Sequence, residues 1–110
     1  MHRRQFALLL AATALLATPA MAEDRTYKLT LKDHKFTPSE ITIPANTKVR
    51  FLVKNLDKTA AEFESDDFKA EKLIPAGKEV LVFIPALKPG IYEFHDEFNE
   101  AASKSKLIVK

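Results

Sequence analysis

Two short windows hold most of the groups in this chain that could bind a cation. Glu62, Glu64, Asp66, Asp67 and Glu71 lie within ten residues, and Glu93, Asp96, Glu97 and Glu100 within eight. Together they contain nine of the fifteen acidic residues, and Lys69 is the single basic residue among them. His95 stands inside the second window, in "YEFHDEFNE". Carboxylates beside an imidazole suit hard or borderline cations such as iron, manganese, calcium or Cu(II). The chain has no cysteine, so it offers no thiolate for nucleophilic catalysis or for a soft-metal site. No nucleophile–base pairing or phosphate-binding loop is visible. The only catalysis open to it is redox chemistry at a bound metal.

Strand parity sorts these groups into two sets. In "YEFHDE", Tyr92, Phe94 and Asp96 share one face, while Glu93, His95 and Glu97 share the other. If the aromatics enter a core, Asp96 extends their face toward the inner end of the strand, beside Glu62. Asp96 and Glu62 are therefore the expected central ligands. By the same parity His95 faces outward as a surface residue, unless the strand stops before it and frees the ring to join the acids. Glu62 and Glu64 flank Phe63 with shared parity, which makes Glu64 either a second oxygen donor or a solvated acid. Asn99 offers a side-chain carbonyl, or simply a turn residue. Asp66, Asp67 and Glu71 read as a solvated rim that attracts cations without coordinating them. His34, in "DHKF", reads as surface.

The elements that must position these groups read as strands. "TYKLTLK" (Thr26 to Lys32) alternates, "SEITIP" is short and closed by Pro44, and "TKVRFLVKN" places Val49, Phe51 and Val53 on one side. "KEVLVFIP" is apolar on both faces, as expected of a central or sandwich strand, and "GIYEFH" and "KLIVK" complete the set. Five prolines from Pro38 to Pro89, with Gly77 and Gly90, fall between the runs. "SDDFKAEKLI" fits neither strand nor tight turn, and Ser65 or Asp66 could cap one helical turn there. The pattern predicts an all-β, antiparallel sandwich.

Upstream, "MHRRQF", the apolar run "ALLLAATALLA" and "TPAMA" have the form of an export signal with cleavage after Ala22. Arg3-Arg4 followed by Phe6 resembles a twin-arginine signal, with the general unfolded-chain route as the alternative. The expected organisation is a signal peptide over 1–22 and one domain over 23–110, periplasmic and without a membrane span after cleavage. Loss of Arg3 and Arg4 leaves 15 basic and 15 acidic residues. A neutral balance argues against nucleic acid or an anionic membrane as partner.

"FTPSEITIPANTKVRFLVKN" resembles the first half of a cupredoxin, with Asn46 where a glycine is usual; "LKPGIYEFH" resembles the strand entering the cupredoxin metal loop. The resemblance implies a cupredoxin-like Greek-key β-sandwich. Laid on the copper-ligand pattern, the first His position falls on Glu62, the Cys on Asp96, the second His on Asn99 and the Met near Lys104. A type-1 blue copper site is thereby excluded. "EFES", "EKLIPAG" and "LKPGIYEF" are similar to EfeO-type cupredoxin-like domains, which implies iron (Fe2+/Fe3+) as the bound ion and a membrane iron permease as partner. It also implies a role in Fe(II) oxidation rather than independent enzyme activity. The chain departs from that group in carrying His95 for an aromatic residue and Asn99 for a histidine. Two readings follow: an iron-binding accessory domain using Glu62 and Asp96 with His95, Asn99 and Glu64 near them, or a metal-free module whose acidic rim docks a basic partner. Cu(II) held by carboxylates and His95 is the further alternative.

Overall fold

Alternation of apolar and polar side chains, punctuated by proline, accounts for most strands in the computed structural model, which describes residues 25–110. The expected export segment, 1–22, lies outside the described residues. One sheet has the order β2–β1–β4–β7: Lys35–Thr37, Thr26–Lys32, Val49–Asn55 and Glu79–Ile84. The other has the order β3–β9–β8–β5–β6: Glu40–Ile43, Ser105–Val109, Gly90–Asp96, Ala61–Ser65 and Ala70–Ile74. A 3₁₀ turn, Glu97–Asn99, and a four-residue helix α1, Glu100–Ser103, link β8 to β9.

The inward faces meet in an aromatic centre. Phe63 and Phe94 stack with centroids 5.0 Å apart, while Phe36 meets Phe94 at 5.3 Å and Phe51 meets Phe63 at 6.1 Å. Each ring adds area burial and a favourable ring–ring geometry. Because side chains alternate along a strand, burying Phe63 and Phe94 turns Glu62, Glu64, Glu93 and His95 to the opposite face.

Three expectations need correction. The sandwich is not wholly antiparallel, since β1 pairs in parallel with β4 and β3 with β9. Parallel neighbours require crossovers between sheets, which local alternation does not reveal. "KEVLVFIP" forms β7, an edge strand rather than a central one; its apolar outward face leaves Phe83 69% exposed. The expected helical turn at Ser65–Asp66 is a tight turn with Lys69 at φ 58°, after which "AEKLI" is strand β6. The helical turn sits instead at residues 97–103, where Asp96 caps it. Asn46 does occupy the left-handed region, at φ 54°, where its short polar side chain is tolerated.

Two polar side chains tie loops to this frame. Buried Asn55 donates to the carbonyls of Thr59 and Ile74 and accepts from Asp57 N, which shapes the approach to β5. Asp57 accepts from the N–H groups of Asp33 and His34, at 2.7 and 3.0 Å, both residues lying at positive φ. Partial burial pushes the Asp57 carboxyl up. The His34 and Asp33 N–H groups and the nearby His34 and Lys32 outweigh it and hold the carboxyl below its usual range. A depressed folded-state pKa contributes stability that is present above the unfolded value and lost as pH falls through the folded one. Asp57→Ala is therefore expected to cost about 1–2 kcal/mol in neutral urea unfolding. The difference from the parent should shrink below about pH 4; a pH-independent difference would show that the charge is not what matters.

Candidate metal centre

The outer face at one end of the larger sheet is built by register. Phe63 pairs with Asp96 and Glu64 with His95 across β5–β8, while Glu64 pairs with Glu71 across β5–β6. Carboxylate oxygens of Glu62, Glu64 and Glu71 consequently lie within 4.8 Å of one another. Desolvation raises the Glu62 pKa, and the charges of Glu71 and Glu97, a hydrogen bond that protonated Glu62 makes to Glu71 and the charge of Asp96 add to it. Desolvation likewise raises Glu64, followed by the charges of Glu97, Asp66, Glu71 and Glu62. Like charges held this close favour a shared proton or a cation. Glu71, expected to be a solvated rim residue, is part of this set. Its place was hidden because "SDDFKAEKLI" had to be recognised as turn plus strand before Glu71 could be put opposite Glu64.

His95 is buried at 8% exposure, which corrects its expected place on the open surface. Its parity is outward, but Glu64 lies beside it on β5, and the chain turns back after Asp96 to bring Glu97 and Glu100 against the ring. His95 Nε2 lies 2.8 Å from Glu97 Oε1, and ligand atoms of His95, Glu97 and Glu100 lie within 4.8 Å of one another. Glu97 raises both Glu62 and Glu64, so it electrostatically joins the two sets.

Asp96 lies outside both convergent sets, at 0% exposure. Its Oδ1 accepts from the N–H groups of Glu62 and Phe98, at 2.9 and 3.0 Å, and its Oδ2 accepts from Asn99 Nδ2 at 3.1 Å. Asp96 and Asn99 thus meet each other, and Asp96 meets the backbone of Glu62 rather than its carboxylate. Ser103, which sequence reasoning missed, completes the tie: its hydroxyl accepts from Asp96 N at 2.7 Å and donates to Asn99 O at 2.9 Å. Asp67, expected to be solvated, accepts from Glu93 N at 2.8 Å. His34, well away in sequence, belongs to neither set and stays with Asp57.

A family model for the cupredoxin-like domain matches residues 5–109. The chain belongs to the cupredoxin-like domain family. An uncharacterized protein of Rickettsia prowazekii (strain Madrid E) is 38% identical over 82 residues, 74% of this chain and 66% of that protein. This chain therefore spans just under two thirds of that relative's length. Auracyanin A, a blue copper protein of Chloroflexus aurantiacus, aligns with a TM-score of 0.63 at 16% identity, over 77% of this chain and 98% of its own. An apo-form copper-binding protein aligns with a TM-score of 0.65 at 21% identity, over 77% and 86%. At these identities the structural likenesses establish the fold. This cupredoxin-like chain has solved neighbours that bind copper, yet it has no cysteine with which to build a type-1 centre. Among the described residues no helix is long and apolar enough to cross a membrane.

Proposed function

We propose that this is an exported, periplasmic cupredoxin-like protein of the EfeO type. It binds iron through its carboxylate face and presents that iron to a membrane iron permease. The observation that carries this reading is the convergence of the Glu62, Glu64 and Glu71 carboxylates, with the Glu62 and Glu64 carboxyls raised, around the position that resemblance assigns to the first cupredoxin ligand. An all-oxygen set of this charge fits ferric or ferrous iron and lacks the sulfur that would select Cu(I). Asp96 and Asn99 support the set through the backbone of Glu62 and the turn after β8. Oxidation of Fe(II) to Fe(III) would pass one electron to an external acceptor such as dioxygen; the protein's part is to supply anionic oxygens, which favour the ferric state.

A second reading rests on His95. Its imidazole, together with Glu97 and Glu100, forms a mixed nitrogen–oxygen set that fits Cu(II). Calorimetric titration of the purified protein with Fe(II) under anaerobic conditions, Fe(III)-citrate, Mn(II) and Cu(II) separates the readings. Iron binding that is lost in Glu62→Gln/Glu71→Gln and retained in His95→Ala is the expected result. Cu(II) binding lost only in His95→Ala would favour the second reading. Absence of heat with every ion would leave the acidic face as a docking surface for a basic partner and end the iron proposal.

A further inference from the structure

The start of strand β6 borders both the acidic face and a second feature of opposite charge, with Lys69 and Ala70 common to the two. Glu71 belongs to the acidic set, while its neighbours Ala70 and Lys69 line a groove of about 1090 Å³ between the exposed edge strands of the two sheets. The floor of the groove is core: Ile84 and Phe68 are buried. Its wall is apolar too, since the ring of Phe83 is 69% exposed there. The rim is cationic, with Arg25 and Lys48 at one side and Lys69 at the other, and among the described residues no carboxylate lines it. Among the described residues no salt bridge ties Lys48 or Lys69 to an acid.

From this geometry we infer that the groove is a binding site for a small amphipathic anion, one molecule with a single anionic head and an acyl or aryl body. The open groove has room for such a ligand, and an apolar floor with a few charged groups at the mouth is the usual composition of ligand sites. The apolar body covers Phe83 and reaches the core side chains, while the head is held by lysine ammonium groups acting as point charges. The conformation of Lys69 adds an independent observation. At φ 58° glycine or asparagine would be less strained, yet the turn places a cation there, on the rim the groove shares with the acidic side. A concave site floored by core side chains suits a single free molecule rather than a bilayer surface. The proposed site uses none of the carboxylates of the metal set, although Lys69 borders them.

Sodium dodecanoate, kept below its micellar concentration, is the probe, and binding is read by calorimetry on the purified protein. Saturable 1:1 binding is expected, with acetate (head without tail) and dodecyl maltoside (tail without charge) each binding at least roughly tenfold more weakly, a gap of about 1.4 kcal/mol. Lys69→Gly should lower dodecanoate affinity roughly three- to tenfold while leaving the thermal midpoint unchanged or higher, because it removes the charge and the backbone strain together. Phe83→Ala, at an exposed edge position, should weaken dodecanoate and spare folding. Equal binding of dodecyl maltoside, unchanged affinity in both Lys69→Gly and Lys48→Glu, or retention on phosphatidylglycerol vesicles without binding of monomeric dodecanoate would each overturn the proposal.

Discussion

Asp96→Ala lowers the stability of this domain by about 3–5 kcal/mol in urea unfolding, the largest single-residue effect expected here. The Asp96 carboxylate is fully buried and accepts from two backbone N–H groups and the Asn99 amide. Alanine leaves the part-buried N–H groups of Glu62 and Phe98 without those acceptors, and each lost partner costs about 1–3 kcal/mol. For a domain of this size the thermal midpoint should fall by more than about 10 °C. Asp96→Asn keeps one acceptor oxygen and should lose less. The asparagine variant also decides between two roles. If Asp96 acts by holding the turn after β8, the variant keeps most of its metal affinity in proportion to its folded fraction. If the carboxylate coordinates the ion, affinity collapses while stability falls only modestly. A cost below about 1 kcal/mol for Asp96→Ala would show that water or a neighbour replaces its hydrogen bonds.

Glu62→Gln combined with Glu71→Gln acts in opposite directions on binding and on folding. Removing two carboxylates from a convergent set should weaken iron by at least 10–100-fold, roughly the scale on which even outer partners of a metal site act. The same change should raise the thermal midpoint of the metal-free protein at neutral pH. The sign follows from linkage. Glu62 is raised in the folded state, by desolvation first and then by Glu71, Glu97 and Asp96, so the folded protein binds more protons than the unfolded chain. Stability then falls as pH rises from the unfolded carboxyl range, near pH 4, through the raised folded value. At neutral pH the set is repulsive, and either a cation or amide substitution relieves it. The parent should gain thermal stability on addition of iron and lose that gain on acidification; the double variant should show neither response. A variant less stable than the parent at pH 7 would contradict the repulsive account.

Both results turn on groups that the sequence exposes unequally. Glu62 was recognisable because it sits next to a core phenylalanine on an alternating strand and at the first ligand position of the resemblance. Glu71 was not, because a turn with Lys69 in the left-handed region comes before its strand and breaks the local pattern. Asp96 was correctly placed inward and next to Glu62. Its carboxylate meets the Glu62 N–H rather than the Glu62 side chain, a distinction that parity does not carry. His95 faces outward as parity requires, yet it is buried, because burial there depends on where the chain goes after the strand ends.

By itself the sequence determined what is local. Period-two alternation defines most strands, the buried phenylalanines commit their neighbours to the opposite face, and the absence of cysteine removes any thiolate-bound copper. Tertiary structure alone decided which outward groups meet. The register of β5 between β6 and β8 joins Glu62, Glu64 and Glu71, and the return of residues 97–103 brings Glu97 and Glu100 to His95. The physical reason is that strand alternation is a property of consecutive side chains, whereas register and loop return are set by packing between residues distant in the chain. Here the stacked rings of Phe63 and Phe94 and the buried Asp96 lock that register, and the acidic face is its consequence.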